Sequence, residues 1–534
     1  MLRALLLALM ALSVARVHAA APVGEAEITA AVDALYAGAT PRRLWTSRAG
    51  LNAAGSAALV ELAAAQVRGL RPADYDSVAL DQRAMALRAA GSDPSVLATF
   101  ERDLSQALAR YIVHLQRGRV RPQDAGYQLD VQRDPLDLAA ALEAYAYASG
   151  TSRPALLDGY EPRYRHYPLL KAALARYRQL AGQSPPQLLA PLPRRRVKPG
   201  EAYPDAQLLR QLLVRLGDLA DAEALTASAD SLDETLAAGV AHFQQRHGLT
   251  PDGVLGATTW RALNLPLEAR VHQIELAMER ARWLPPPPGG PFILVNIPQF
   301  RLFAFRGPED REQSMTAMNV IVGRSFPQTH TPVFRADLRY VVFRPYWDVP
   351  ASIVRKEVLP QLRRNMAVAD KEGYELVRGQ SDASPVVPMT SGNLDALERG
   401  ELRIRQRAGP KNALGAVKFM LPNPYNVYLH STPAQRLFGQ SLRAFSHGCI
   451  RVEDPVALAQ FVFADDPAWT RDRIVDAMQD EEPMSRINLR EPIPVVVFYA
   501  TAIAAEDGRV LFFEDIYHHD RRLDALLNAA PPVR

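Results

Sequence analysis

Apolar positions in the first third of the chain recur at helical spacing. The stretches LNAAGSAALVELAAAQVRGL (51–70) and ATFERDLSQALARYIVHLQRG (98–118) each carry an apolar stripe and run into a glycine, Gly69 and Gly118. Residues 24–195 therefore read as a helical scaffold domain, closed by the proline-rich linker SPPQLLAPLPRRRVKPG (184–200). From 204 to 266 the pattern predicts a compact three-helix module. Leu208, Leu209, Leu212, Leu213 and Leu216 share one spacing, and Ser231 to Glu234 has the S-x-x-E form of a capped helix start. That helix carries Leu236, Val240 and Phe243 and stops near Gly248. Beyond Pro285–Pro288 the period changes. FILVNI, RLFAFR, TAMNVIVGR, LRYVVFRPYW and later NVYLH are short β-branched and aromatic runs bounded by Gly and Pro, so 285–480 reads as a β-rich domain. A polar, helical insertion at about 354–412 interrupts the strands and is placed to cover a site. Residues 481–534 are expected to pack on this domain. The fold class is multidomain α+β: helical scaffold, three-helix module, and β-rich domain with a helical insertion.

Composition adds little to this picture, and the N-terminus adds location. Hydrophobic residues make up 48% of the 534, enough for several cores, and the formal net charge is only +4. The arginines are scattered, which argues against a nucleic-acid partner. MLRALLLALMALSVARVHAA has a basic Arg3, an apolar run from Ala4 to Ala15, and Ala19 at a cleavage position. Residues 1–19 therefore read as a signal peptide, with a retained anchor as the alternative. No later segment offers eighteen uninterrupted apolar residues, so no membrane span follows the leader and the bulk of the chain is expected outside the cytoplasm.

Cys449 is the one cysteine of the chain. In an oxidising compartment it has no intramolecular partner, so it is either a small buried hydrophobe or a thiol kept for chemistry. If Gly448–Val452 is extended, Cys449 and Arg451 point one way while Ile450 and Val452 point to the core. The same alternation sends Tyr428 and His430 to the open face, with His430 exposed at its strand end. An acyl-transfer site on sulfur needs a nucleophile, a base, an orienter for the base and oxyanion donors. Cys449 is the candidate nucleophile, with His430 and His447 as the nearby imidazoles. A guanidinium at Arg451 on the thiol's face would favour the thiolate or take a substrate carboxylate. Asp454 and Pro455 suit the N-cap and first position of a helix over PVALAQFVF, which leaves the cysteine upstream of that helix's dipole. A zinc set of His430, His447 and Cys449 is disfavoured, having no second cysteine and no HExxH helix.

AHFQQRHGLTPDGVLGATTWRALN (241–264) closely resembles the peptidoglycan-binding module of cell-wall enzymes. YLHSTPAQRLFGQSLRAFSHGCIRV (428–452) resembles the signature of the YkuD-type L,D-transpeptidases: a histidine, about fifteen residues, then [S/T]-H-G-C-h-R. VNIPQFRLFAF, MNVIVGR, YVVFRPYWDVPASIVRKEVLP and GPKNALGAVKF resemble the same domain, and the module order is similar to the family's long members. The resemblance implies Cys449 as nucleophile and His430 as general base, oriented by the Ser431 carbonyl. It implies an oxyanion hole from the N–H groups of His447, Gly448 and Cys449, and a pocket shaped by Ser446, His447 and Arg451. It further implies a donor tetrapeptide stem cut before its terminal D-alanine, a second stem as acceptor, and a 3→3 cross-link as product. No metal or organic cofactor is expected, because the chemistry needs none. Other wall-synthesis enzymes stay open as further partners. Two alternatives remain at this stage: a stem carboxypeptidase using water at the same site, and a non-catalytic peptidoglycan-binding protein.

Overall fold

A computed structural model describes residues 23–38, 42–47, 50–89, 93–129, 135–183, 188–220, 230–325, 329–479 and 486–529. The expected signal peptide lies outside them. Among the described residues no helix is long and apolar enough to cross a membrane.

The scaffold is helical, as its periodicity predicts. Helix Pro94–Arg117 runs through its centre, starting on an Asp93 cap with Pro94 in the first turn and ending at Gly118. Leu104, Leu108 and Ile112 on its buried face meet Ile28, Trp45 and Leu62 from neighbouring helices and loops. Mid-helix Glu101 is buried and accepts the N–H groups of Leu44, Trp45 and Thr46 at 2.9, 3.0 and 2.7 Å, which pins that loop to the helix. The three-helix module, Ala206–Leu216, Glu234–Arg246 and Ala257–Leu263, closes over Leu209, Leu213, Leu236, Val240 and Phe243. Its second helix is capped by Asp233, whose side chain accepts the Leu236 N–H at 2.8 Å, and not by the Ser231 box. The carboxylate at Asp233 also pairs with buried Arg210, an interaction a serine cap lacks. The end of the expected linker is no free spacer, because Arg196–Val197 pairs antiparallel with Leu255–Gly256 of the module.

Helix Leu267–Ala281 leaves this module and becomes a strut between all three parts. Its buried Glu279 accepts the backbone N–H of scaffold residues Arg119 and Val120 at 2.5 and 3.0 Å and pairs with Arg282 at 2.9 Å. Arg280 pairs with Asp520 at 2.5 Å and donates to Tyr127 Oη at 3.1 Å. Arg282 reaches the Arg68 carbonyl and Tyr167 Oη. Scaffold residues Val120, Tyr127 and Leu129 sit in the core of the β-domain, so the scaffold and the barrel share a core.

The β-domain is a closed barrel with one further strand at its rim. In chain order its strands are β1 (Phe292–Asn296), β2 (Arg301–Phe305), β3 (Thr316–Gly323), β4 (Phe334–Phe343), β5 (Val417–Met420), β6 (Leu429–His430), β7 (Ala444–Ser446), β8 (Ile450–Val452) and β9 (Arg486–Phe498). They lie in the order β7-β3-β8-β6-β5-β4-β9-β1-β2, and a β2–β3 pairing closes the ring. Inward residues such as Ile293, Leu302, Val320, Leu429 and Ile450 are fully buried, which is what fixes the register. The C-terminal segment does more than pack on this domain. β9 pairs antiparallel with β4 and parallel with β1, so it fills the gap without which the barrel is open.

The insertion is larger than its helical pattern suggests. It also contains a four-stranded antiparallel sheet, ordered Val386–Val387, Tyr374–Val377, Arg403–Gln406, Trp347–Asp348. With helices Leu359–Arg364 and Ser391–Glu398 it buries its own core of Leu362, Leu376, Leu394 and Ile404. The cap therefore starts at Trp347. Its strands were hidden because they are two to four residues long.

Candidate active site

Cys449 stands at the mouth of β8, next to β6. The two strands are parallel, with Leu429 opposite Ile450 and His430 opposite Arg451, and the Ile450 N–H donates to the Tyr428 carbonyl at 3.0 Å. Tyr428 therefore lies beside Cys449, and His430 is its diagonal neighbour on the same face, next to Arg451. The face assignment made from sequence holds. The exposure assigned to His430 does not: it is only 4% exposed. Tyr428 covers it, ring centroids 5.7 Å apart, and the 412–416 turn lies behind it. That turn approaches because Gly415 has no side chain; a Cβ there would sit 2.0 Å from Ser431 Oγ.

His430 Nδ1–H donates to the Ser431 carbonyl at 2.6 Å, which leaves the Nε2 lone pair free to accept a proton. Burial, reinforced by the Arg451 charge, pushes the imidazole down to about 3. The thiol donates to the Asn426 carbonyl at 3.5 Å and receives the N–H and hydroxyl of Tyr428. Asn426 adopts φ +53 to aim that carbonyl, a conformation asparagine tolerates. Burial pushes the Cys449 thiol up, and it outweighs the Tyr428 bonds and the Arg451 charge that favour thiolate. The resting pair is therefore neutral thiol and neutral imidazole, not the thiolate that Arg451 alone would give. Alkylation of Cys449 by iodoacetamide is expected to rise about tenfold per pH unit, without levelling off below the ordinary thiol value of 9.0. A plateau near pH 7 would show a preformed thiolate.

The loop before the thiol is bolted from outside the signature. Gly448 takes φ +119, closed to most side chains. Its carbonyl accepts from Thr331 Oγ1 at 2.8 Å, and Thr331 Oγ1 accepts the Gly323 N–H at 2.9 Å. In a trans peptide C=O and N–H are opposed, so holding the Gly448 carbonyl outward turns the Cys449 N–H inward. Tyr517 from the C-terminal segment donates to the Gly323 carbonyl at 2.6 Å and braces the Thr331 N–H. Ser446 Oγ donates to the Cys449 carbonyl at 2.6 Å and accepts the Gly448 N–H at 3.1 Å. The Gly448 N–H is thus occupied, while those of His447 and Cys449 make no hydrogen bond among the described residues. Thr331→Val is expected to leave Gly323 N–H and the Gly448 carbonyl unpaired and to lower turnover by roughly 10–100-fold, with recovery in Thr331→Ser. Equal losses in both variants would limit Thr331 to packing.

Arg451 is half-buried with its Nε unpaired, and Arg324 is close enough to disfavour its charge. Two cations with no acid pairing them among the described residues suit a carboxylate. His447 points instead to the cap, its Nε2 2.7 Å from Glu357 Oε1. Sequence reasoning found Cys449, His430, Ser431, Ser446, Gly448 and Arg451, and these come together. It missed Thr331, Tyr517 and Arg324, which carry no local signal. Tyr428 was legible in the same alternation that placed His430.

Three regions of the chain match known families. Residues 290–469 match the L,D-transpeptidase catalytic domain family, YkuD. Residues 30–174 match a scaffold domain, and 203–263 a domain described provisionally as peptidoglycan binding. Residues 290–469 are thus similar to the L,D-transpeptidase catalytic domain, and the three matches, in this order, fit the layout of the long L,D-transpeptidases. A Haemophilus influenzae protein, named provisionally as an L,D-transpeptidase, is 32% identical over 233 residues, 43% of this chain and 45% of that protein. The match thus spans under half the length of either.

Proposed function

We propose that this protein is an exported murein L,D-transpeptidase that forms 3→3 cross-links through a Cys449 acyl-enzyme. The observation that carries the reading is the common face of Cys449, His430 and Arg451, with His430 Nδ1 held on the Ser431 carbonyl. Arg451 and Arg324 take a carboxylate of the donor stem, and the carbonyl before the terminal D-alanine comes to Cys449. His430 Nε2 removes the thiol proton as sulfur attacks, so ionisation is coupled to attack and no free thiolate waits in the site. The oxyanion forms against the N–H groups of Cys449 and His447. His430 returns the proton to the departing D-alanine nitrogen, which leaves a thioester. The side-chain amine of a second stem then attacks that thioester. The module at 203–263 supports the same reading by offering the polymer a second holding point.

Incubation of the purified chain with disaccharide-tetrapeptides, followed by mass spectrometry, tests this. The expected products are dimers one D-alanine lighter than two tetrapeptide units. Tripeptides alone would mean that water is the acceptor, and unchanged substrate would mean a binding protein.

A further inference from the structure

The cap touches the signature at two points. Trp347 reaches the Tyr428 hydroxyl, which itself contacts the Cys449 sulfur. Glu357 reaches His447, two residues before the thiol. Glu357 lies in a π-helical turn, Val354–Val358, that joins two α-helical segments; such turns displace a side chain from its α-helical position. Val354 and Val358 anchor the turn in the cap core, while Glu357 stays half-exposed, with His447 as its one ion-pair partner among the described residues. The neighbouring Arg355 and Lys356 are exposed and make no ion pair with it.

This geometry fits the second half-reaction. Glu357 accepts from His447 through Oε1, so a neutral His447 carries its proton on Nε2 and its lone pair on Nδ1. Neither His447 Nδ1 nor Glu357 Oε2 has a partner among the described residues. A carboxylate beside a free imidazole lone pair, at the edge of a site whose other charges are the cations Arg451, Arg324 and Lys418, selects a cationic amine. We propose that Glu357 and His447 form the acceptor subsite, where the cap's carboxylate binds the ammonium of the incoming stem and His447 removes its proton.

The inference rests on the transpeptidase reading and completes it. The acceptor ammonium gives one proton to His447 Nδ1. The amine lone pair attacks the thioester carbonyl, the C–N bond forms and the C–S bond breaks. The leaving sulfur takes up the second nitrogen proton through His430, restoring the thiol, and His447 releases its proton to solvent. The donor carboxylate is assigned to Arg451 and Arg324, so loss of the Glu357 charge separates acceptor use from acylation.

Glu357→Gln keeps the size and a hydrogen bond to His447 and removes the charge. The full chain and this variant would be given disaccharide-tetrapeptide. Acylation is read as the mass added to Cys449 in single turnover, and partition as the dimer-to-tripeptide ratio at rising acceptor concentration. The expected result is at least a tenfold fall in the ratio of aminolysis to acylation, with a tenfold rise in half-saturating acceptor. Glu357→Asp should recover part of both. An unchanged ratio, or acylation falling in parallel with aminolysis, overturns the subsite. If the parent chain adds no mass to Cys449, the transpeptidase reading itself fails, a different outcome from a normal acyl-enzyme with unaltered partition.

Discussion

Cys449→Ala is expected to lose acyl-enzyme formation entirely and to cut D-alanine release by roughly 10⁴-fold or more. In the proposed reaction the acyl group is carried on that sulfur, so both half-reactions depend on it. His430 has no proton to take, and the inward N–H of Cys449 has no oxyanion to meet. The substitution should leave the fold intact, because Cys449 is partly exposed, its sulfur makes only weak hydrogen bonds to Asn426 and Tyr428, and it lies outside the barrel core. Unfolding curves of parent and variant would therefore coincide while mass spectrometry finds no adduct. Residual release within tenfold of the parent would mean that water is activated elsewhere, and the thiol would then be a bystander.

Glu279→Ala is expected to destabilise the assembled chain by about 3–5 kcal/mol. The carboxylate is almost fully buried, accepts two scaffold N–H groups and is the anionic partner of fully buried Arg282. Its loss leaves a buried guanidinium and two buried amides without their acceptor, which costs far more than one surface pair. Trp283 is adjacent, so guanidinium unfolding followed by the fluorescence of a variant keeping Trp283 as its only tryptophan, with and without Glu279→Ala, reads the change. A shift below about 1 kcal/mol would mean that apolar packing of Val120, Tyr127 and Leu129 holds the junction alone. Because the scaffold and barrel share one core, activity and stability should fall together in this variant. In Cys449→Ala only activity falls.

Much of this protein is legible along the chain. The helical repeats ending at Gly69 and Gly118, the change of period after Pro288, and the alternation that puts Cys449, Arg451, Tyr428 and His430 on one face are local properties. Neighbouring residues alone determine them, so the sequence states them directly. The lone cysteine and its upstream histidine are likewise readable, since the diagonal step between parallel strands needs only the alternation on each.

What the tertiary structure decided is whatever depends on residues far apart meeting. The burial of His430 comes from a turn at 412–416, and the protonated state of the thiol from packing around it, which outweighs the nearby arginine. The orientation of the Cys449 N–H comes from Thr331 and Tyr517, more than a hundred and nearly seventy residues away. β9 completes the barrel from a segment that looked peripheral, and Glu357 arrives from the cap. Desolvation and long-range hydrogen bonding set these features. Neither leaves a periodic trace in the chain, because both are properties of the space between segments and not of any one segment.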